Sequence, residues 1–315
     1  MDRFEDMRTF VEVADAGSIS AAAERLHRAK SAVSRRIADL EDRLGAQLFR
    51  RTTRALNLTD TGRGYLERCR RILEDVAEAE LAVSRDHGTL RGQLRVAAPM
   101  SFGLKHLGPA INEFQERHPQ VTFDLDLNDR QVDVMAEGFD LALRIADLPD
   151  SSLVARRLAP VRMVLCASPT YLANRGIPNR PQDLADHDCL SYTNLPDPTR
   201  WVFREPAGDP GSVRIHPQIA ANNGDFLLQA AIAGRGIAYQ PTFIAFEPIR
   251  DGQLVPVLED YDWPGVNAYV IYPQSRHLSQ RVRAFVDFLA ERFAGTPYWD
   301  RAIQEPDGPG IIGGK

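Results

Sequence analysis

Between residues 31 and 44 the apolar side chains fall at Val33, Ile37, Leu40 and Leu44, spaced by four, three and four positions. That spacing sets all four on one stripe of an α-helix, and the stripe is expected to face a core. The stretch SAAAERL at 20–26 predicts another helix, opened by Ser18 as its cap, with an alanine face that allows close packing. A tight turn at 27–30 joins the two. Further on, 61–87 reads as one long polar helix in which Tyr65, Cys69, Ile72, Val76, Ala79 and Val83 recur as a heptad seam. Such a seam fits either a helix packed on its own domain or a dimer contact.

From 94 to 294 the pattern alternates between strand and helix. Strands are expected at 94–99, 121–128, 140–145, 162–168, 236–241 and 268–273. Helices are expected from Gly103 to about Arg117, briefly before Glu137, after Pro169, at 225–234 and at 279–293. Alternation of this kind implies a parallel or mixed sheet wrapped by helices, and 200 residues of it fit two small α/β lobes. Residues 90–93, which include a glycine, read as a hinge. The chain beyond Gly295 turns rich in glycine and proline and reads as a disordered tail. The resulting division is 1–61, 62–90 for the long helix and hinge, 91–300, and 301–315.

Charge changes this picture at one end only. The chain has 38 Lys and Arg against 43 Asp and Glu, a net −5. Residues 25–54 alone hold nine cations against three anions. A basic segment on an acidic chain points to a bound polyanion. On the helix beginning at Ser31, the positions opposite the apolar stripe are Ser31, Arg35, Ala38 and Asp42, with Ser34 beside them and Arg36 on the flank. Two helices joined by a tight turn, with small and basic residues near the start of the second, make a helix-turn-helix. The segment 48–59 then sets Arg50, Arg51, Thr52, Thr53 and Arg54 between apolar pairs, as a hairpin wing suited to phosphate contacts would. The alternative is a helical bundle with a solvated basic face.

Several classes are excluded. Cys69, Cys166 and Cys189 are far apart and odd in number, so no disulfide framework is expected. No apolar run reaches 18 residues and the first ten residues lack a signal-peptide layout, which predicts a cytoplasmic protein outside the membrane. The seven histidines are scattered, and His187-Asp188-Cys189 is a poor joint ligand set, so neither metal nor cofactor is expected. Gly234-Arg235-Gly236 follows a helix and is no dinucleotide fingerprint. An enzyme with an accessory DNA-binding module, a transport solute-binding protein and a ligand-free nucleoid protein are the competing functions. In the α/β part, ligands are expected at strand C-termini between the lobes, which gathers Ser101, Phe102, Asn128 and Asn223 near one cleft. Ser101 is a candidate helix cap, and Asn222 and Asn223 open a further helix. Arg144, inside an apolar strand, is either an ion-paired structural arginine or a carboxylate clamp.

The stretch from Met7 to Cys69 resembles the N-terminal domain of LysR-type transcriptional regulators. Phe10, Ala22, Ala23, Leu26, Ser31, Val33, Ser34, Ile37, Leu40, Glu41, Leu44, Gly45, Leu48, Phe49, Arg51, Leu58, Thr59 and Gly62 carry the likeness. Lys30 and Arg36 depart from it, each adding positive charge near the expected DNA. A weaker resemblance runs to about residue 293. It implies an all-α winged helix-turn-helix N-terminal domain plus a long linker helix. It also implies a C-terminal α/β two-lobed sensor similar to type 2 periplasmic solute-binding proteins. Linker helices of the family pair, so a homodimer or homotetramer on a palindromic double-stranded DNA promoter site is implied. Lys30, Ser31, Ser34, Arg35, Arg50, Arg51, Thr52 and Arg54 are the DNA-binding candidates. The resemblance also implies a small-molecule effector, contact with the transcription machinery, a ligand role for Ser101, and Tyr192, Phe203 and Gln240 as cleft walls; the helices opened by Ser101 and Asn223, with Arg144 as a nearby cation, point to a carboxylate as that effector.

Overall fold

A computed structural model describes residues 2–51, 56–83, 90–146, 153–274 and 278–304. The chain divides into two compact units, Met1–Thr89 and Leu90–Lys315.

The first unit runs α1 (Arg3–Ala16), α2 (Ile19–Arg25), α3 (Lys30–Leu44), β1 (Phe49–Arg51), β2 (Leu56–Leu58) and α4 (Asp60–Val83). Ser18 Oγ accepts from the Ala21 amide at 3.4 Å and opens α2 as its cap. Gly17 and Gly45 end α1 and α3 in the left-handed conformation, where a side chain would be strained. Phe10, Val13, Ala22, Val33, Ile37, Leu40, Leu48 and Phe49 form the core. Leu44, expected on the same buried stripe, is 40% exposed at the last residue of α3. Glu41 fixes the base of the hairpin: its Oε1 accepts from the Leu48 and Phe49 amides at 2.7 and 2.9 Å. Thr59 Oγ1 accepts from the Gly62 amide at 2.9 Å and starts α4. A Cβ on Gly62 would lie 2.1 Å from the Leu48 carbonyl oxygen, so only glycine fits.

Asp6 of α1 is buried and meets two cations of α3, Arg36 at 3.4 Å and Arg43 at 3.0 Å. Arg36 is therefore committed inside the unit, contrary to the expectation that it adds charge near DNA. The Asp6→Ala variant leaves both arginines without this anion. Both keep partial access to water, so the expected loss is about 1–2 kcal/mol, read by thermal unfolding of the full chain.

The second unit holds two five-stranded sheets. The first has the order β4-β3-β5-β14-β6, from β3 (Arg91–Ala98), β4 (Gln120–Leu127), β5 (Leu141–Ala146), β6 (Leu153–Val161) and β14 (Val266–Pro273). The second has the order β11-β8-β12-β7-β13, from β7 (Met163–Ala167), β8 (Cys189–Tyr192), β11 (Pro217–Ala221), β12 (Ile237–Pro241) and β13 (Val255–Val257). A separate hairpin pairs β9 (Arg200–Arg204) with β10 (Pro210–Arg214). β3 is parallel to β4 and β5, and β8 is parallel to β11 and β12, so each sheet is mixed: its first three strands run parallel and the last two join antiparallel. Helices α5 (Met100–Phe102), α6 (Gly108–Arg117), α7 (Pro169–Arg175), α8 (Gly224–Ile232), α9 (Thr242–Arg250) and α10 (Gln280–Arg292) wrap them.

Four expectations are corrected. The hinge placed at 90–93 is largely strand: Arg91, Gly92 and Gln93 pair with Gln120, Val121 and Thr122. There Gly92 takes φ +103° beneath the guanidinium of Arg281, which donates to the Gln93 carbonyl at 3.0 Å. The helix expected from Gly103 begins at Met100 and passes through a π-turn at Gly103–Leu107. Pro109 explains the widening, since it has no N–H for the Lys105 carbonyl and its ring crowds that oxygen. The short helix before Glu137 is a run of turns, closed by Asp133, whose Oδ1 accepts from the Met135 and Ala136 amides. Fourth, the chain after Gly295 is no loose tail up to residue 304. It forms α11 (Tyr298–Gln304), with Trp299 fully buried. Residues 305–315 lie outside the described residues.

Candidate functional site

Exposure on α3 follows the sequence arithmetic. Val33, Ile37 and Leu40 point inward, while Lys30, Ser31 and Arg35 are exposed and Ser34 is half-buried. The residue before α3, Ala29, offers no side-chain cap, and its carbonyl takes the Ala32 and Val33 amides. The Lys30 and Ser31 amides thus have no acceptor within the helix, and the positive end of its dipole stays open to an anion. Arg50 is exposed on β1, opposite Asn57 of β2. The side chain of Arg51, and Thr52 and Arg54 entirely, lie outside the described residues.

The heptad seam divides. Tyr65 packs on Phe10, ring centroids 5.2 Å apart, and Cys69 is fully buried, so both belong to this unit's own core. Burial, then the hydrogen bond to Cys69, pushes the Tyr65 hydroxyl up to about 12. Arg70 is ion-paired with Asp15 of α1. The expectation of an unbroken dimer seam fails at these first two positions because α1 already covers them. Ile72 is 38% exposed and Val76 half-buried. The side chains of Ala79 and Val83 lie outside the described residues.

In the second unit, residues at the C-terminal ends of the parallel strands converge. Ser101 is buried just after β3, on α5, and does not cap it: Pro99 is the cap residue. Asn223 does cap α8, accepting from the Phe226 amide at 2.9 Å. Between them sits Gly224. A Cβ there would come 2.6 Å from Ile244, 3.1 Å from Gln240 Oε1 and 4.0 Å from Ser101 Oγ, so these groups crowd one point. Gln240 is 1% exposed, and its Nε2 has no hydrogen-bond partner among the described residues. A buried unpaired amide donor costs about 1–3 kcal/mol, which calls for an acceptor. The lobes meet at the mouth, where Asn223 Nδ2 lies 3.7 Å from Met100 Sδ and Asn194 Nδ2 donates to the Asp129 carbonyl at 3.3 Å. Asn194 also donates to the Tyr192 hydroxyl at 3.3 Å. Lys105 pairs with Asp225 at 3.4 Å.

Other candidates lie elsewhere. Phe102 turns away from Ser101 into the core, against Phe243 at 5.3 Å and Phe293 at 5.6 Å. Phe203, on β9, is buried with Tyr261 and Trp263 and lines no cleft. Arg144 donates to the Arg130 and Val132 carbonyls at 3.3 and 2.5 Å, a structural tie to the loop after β4. Burial lowers its pKa, with Arg130 adding to the effect. Asn128 is held within its own turn by Asp126 and the Arg130 amide. Asn222 is exposed beside the cap. Sequence reasoning missed Asp129 and Asn194. The pair Asn128-Asp129 at a strand end was the available signal, and only its first member was taken.

Two family models match in tandem: the bacterial regulatory helix-turn-helix protein, lysR family, over residues 4–63, and the LysR substrate binding domain over 87–294. The chain belongs to the LysR family of transcriptional regulators. It is similar to the HTH-type regulator CrgA of Neisseria meningitidis serogroup C, 36% identical over 288 residues, covering 91% of this chain and 96% of the relative. An HTH-type transcriptional repressor of Pseudomonas aeruginosa is 37% identical over 298 residues, covering 94% of each chain. The solved structure of CrgA from Neisseria meningitidis matches with a TM-score of 0.61 at 35% identity, over 92% of this chain and 99% of that one. Full-length AphB of Vibrio cholerae matches with 0.60 at 27%, over 93% and 100%. This LysR-type protein is thus a DNA-binding regulator with a substrate-binding domain, and not an enzyme. Regulators of this family bind DNA and small effectors and act as oligomers. Among the described residues no helix is long and apolar enough to cross a membrane.

Proposed function

We propose that the protein acts in the cytoplasm as a homodimer or homotetramer on a palindromic promoter site, and that a small carboxylate in the inter-lobe cleft modulates its DNA binding and its contact with the transcription machinery. Lys30, Ser31, Ser34 and Arg35 read the major groove from the open face of α3, while Arg50, Arg51, Thr52 and Arg54 hold phosphates. The exposed Ile72 and the half-buried Val76, with Ala79 and Val83, supply the pairing stripe of α4. Two-fold pairing of this helix implies a two-fold DNA target.

The observation that carries the effector reading is the unpartnered Gln240 amide beside Ser101 and Gly224. A carboxylate oxygen there would accept from Gln240 Nε2, from Ser101 Oγ, and from the Gly224 and Asp225 amides, which have no acceptor within α8. Asn223 and Tyr192 form the rim, and Asn222 lies just outside it. Arg144 takes no part, its guanidinium being bonded to backbone carbonyls. A ligand that binds the closed lobes better than the open ones shifts their populations, and a coupling of about 1–3 kcal/mol alters promoter occupancy several-fold. The Ser101→Ala variant is expected to lose the shift in DNA occupancy that metabolite extracts produce with the wild type in a promoter-binding assay. A normal shift in the variant would rule out the cleft.

A further inference from the structure

The cleft mouth holds an anion that no lysine or arginine among the described residues balances. Asp129 follows β4 and is partly buried, yet among the described residues it has no lysine or arginine partner. The cations nearby are committed elsewhere: Lys105 to Asp225, Arg130 to Glu137 and Asp126, and Arg144 to backbone carbonyls. Asp129 Oδ1 accepts from the Met100 amide at 3.0 Å, which fixes the carboxylate one residue from Ser101. Desolvation raises its pKa, and the Met100 and Asn223 hydrogen bonds oppose that rise. A half-buried carboxylate without a counter-charge is unfavourable, and a ligand cation offsets the cost.

We infer that the effector is an amino acid or a closely related amino-carboxylate, its ammonium group held by Asp129 and its carboxylate by Gln240, Ser101 and the start of α8. The inference rests on the cleft reading above and adds the second charge of the ligand. One end of the site is an orphan donor, Gln240 Nε2, which needs an acceptor. The other end is an unbalanced acceptor, which needs a charged donor. The two ends are linked through Met100, Ser101 and Gly224, so a short molecule spans them. Asn223 Nδ2 stands at the same mouth, 3.7 Å from Met100 Sδ. An ammonium there gives Asp129 a charged donor beside the neutral Met100 amide, and charge-assisted bonds are the stronger kind.

Titration calorimetry of the full-length protein with the common L-amino acids tests this, each run beside the 2-hydroxy acid of the same side chain. The expected result is that at least one amino acid binds, at least about tenfold tighter than its hydroxy counterpart. The Asp129→Asn variant keeps the oxygen that accepts from Met100 but loses the charge. It should bind that amino acid at least about tenfold more weakly and prefer it over the hydroxy acid by no more than about threefold. A fold defect alone would weaken both ligands together and leave their ratio unchanged. A panel with no binder, a hydroxy acid that binds the wild type as tightly, or an unchanged ratio in Asp129→Asn overturns the ammonium assignment. Binding that Ser101→Ala leaves intact overturns the cleft reading instead.

Discussion

Replacing Trp299 with alanine is expected to destabilise the second unit by about 3–5 kcal/mol, the range for truncating a large buried aromatic. Trp299 is fully buried, and its ring centroid lies 4.6 Å from that of His106, 6.0 Å from Phe102 and 6.3 Å from Phe243. These rings come from α5, the π-turn and α9, so one side chain of the last described helix ties together elements on both flanks of the cleft. His106 is held by the Phe243 carbonyl at 3.0 Å and by the Tyr298 hydroxyl, and burial drives its pKa down to about 4. Neutral His106 therefore belongs to this cluster near neutral pH. Chemical denaturation of the full chain reads the change as a lower midpoint in the transition of the second unit. A loss below about 1 kcal/mol would mean that α11 contributes little to the fold.

If Arg35, exposed on α3, reads a base edge as proposed, the Arg35→Ala variant should lose about 1–3 kcal/mol of DNA affinity and blur preference at one base pair. The Arg51→Ala variant should weaken binding evenly across sequences and lower the slope of log affinity against log salt by about one, because a phosphate contact positions without specifying. Binding measured over a salt series with a set of single-base operator variants separates the two. If Arg51→Ala changed base preference while Arg35→Ala did not, the roles would be reversed.

The periodicity of α3 made its two faces legible, and Val33, Ile37 and Leu40 are buried while Lys30, Ser31 and Arg35 are exposed. Leu44 escaped the pattern at the last residue of α3, where a helical wheel says nothing of what lies alongside. The same holds for Tyr65 and Cys69: a heptad stripe shows that a face is apolar but not which partner covers it, and α1 covers theirs. Strand–helix alternation showed the α/β class, whereas β6, β8, β9, β10, β11 and β13 went unseen. β8, β9, β10, β11 and β13 are only three to five residues long, too short for a period to stand out, and β6 is longer but shows no alternation. Phe102 was gathered into the cleft by its place after a strand end and Phe203 by the family resemblance, but large aromatic rings beside a site are commonly core, and both are 2% exposed or less. Arg144 was legible as a cation in an apolar strand; its carbonyl partners, 14 and 12 residues upstream, depend on how the loop after β4 folds back. Trp299 was hidden by its setting, a single aromatic turn between a Gly/Pro-rich stretch and the chain end.

Footprinting of the full-length protein on the DNA flanking its own gene tests the central claim most directly. The account predicts protection of a discrete site with two symmetry-related halves, whose centres lie about one helical turn, or a whole multiple of it, apart. It also predicts that the protection survives excess unrelated duplex and is lost first in Arg35→Ala. Uniform protection that unrelated DNA competes away equally well would contradict it.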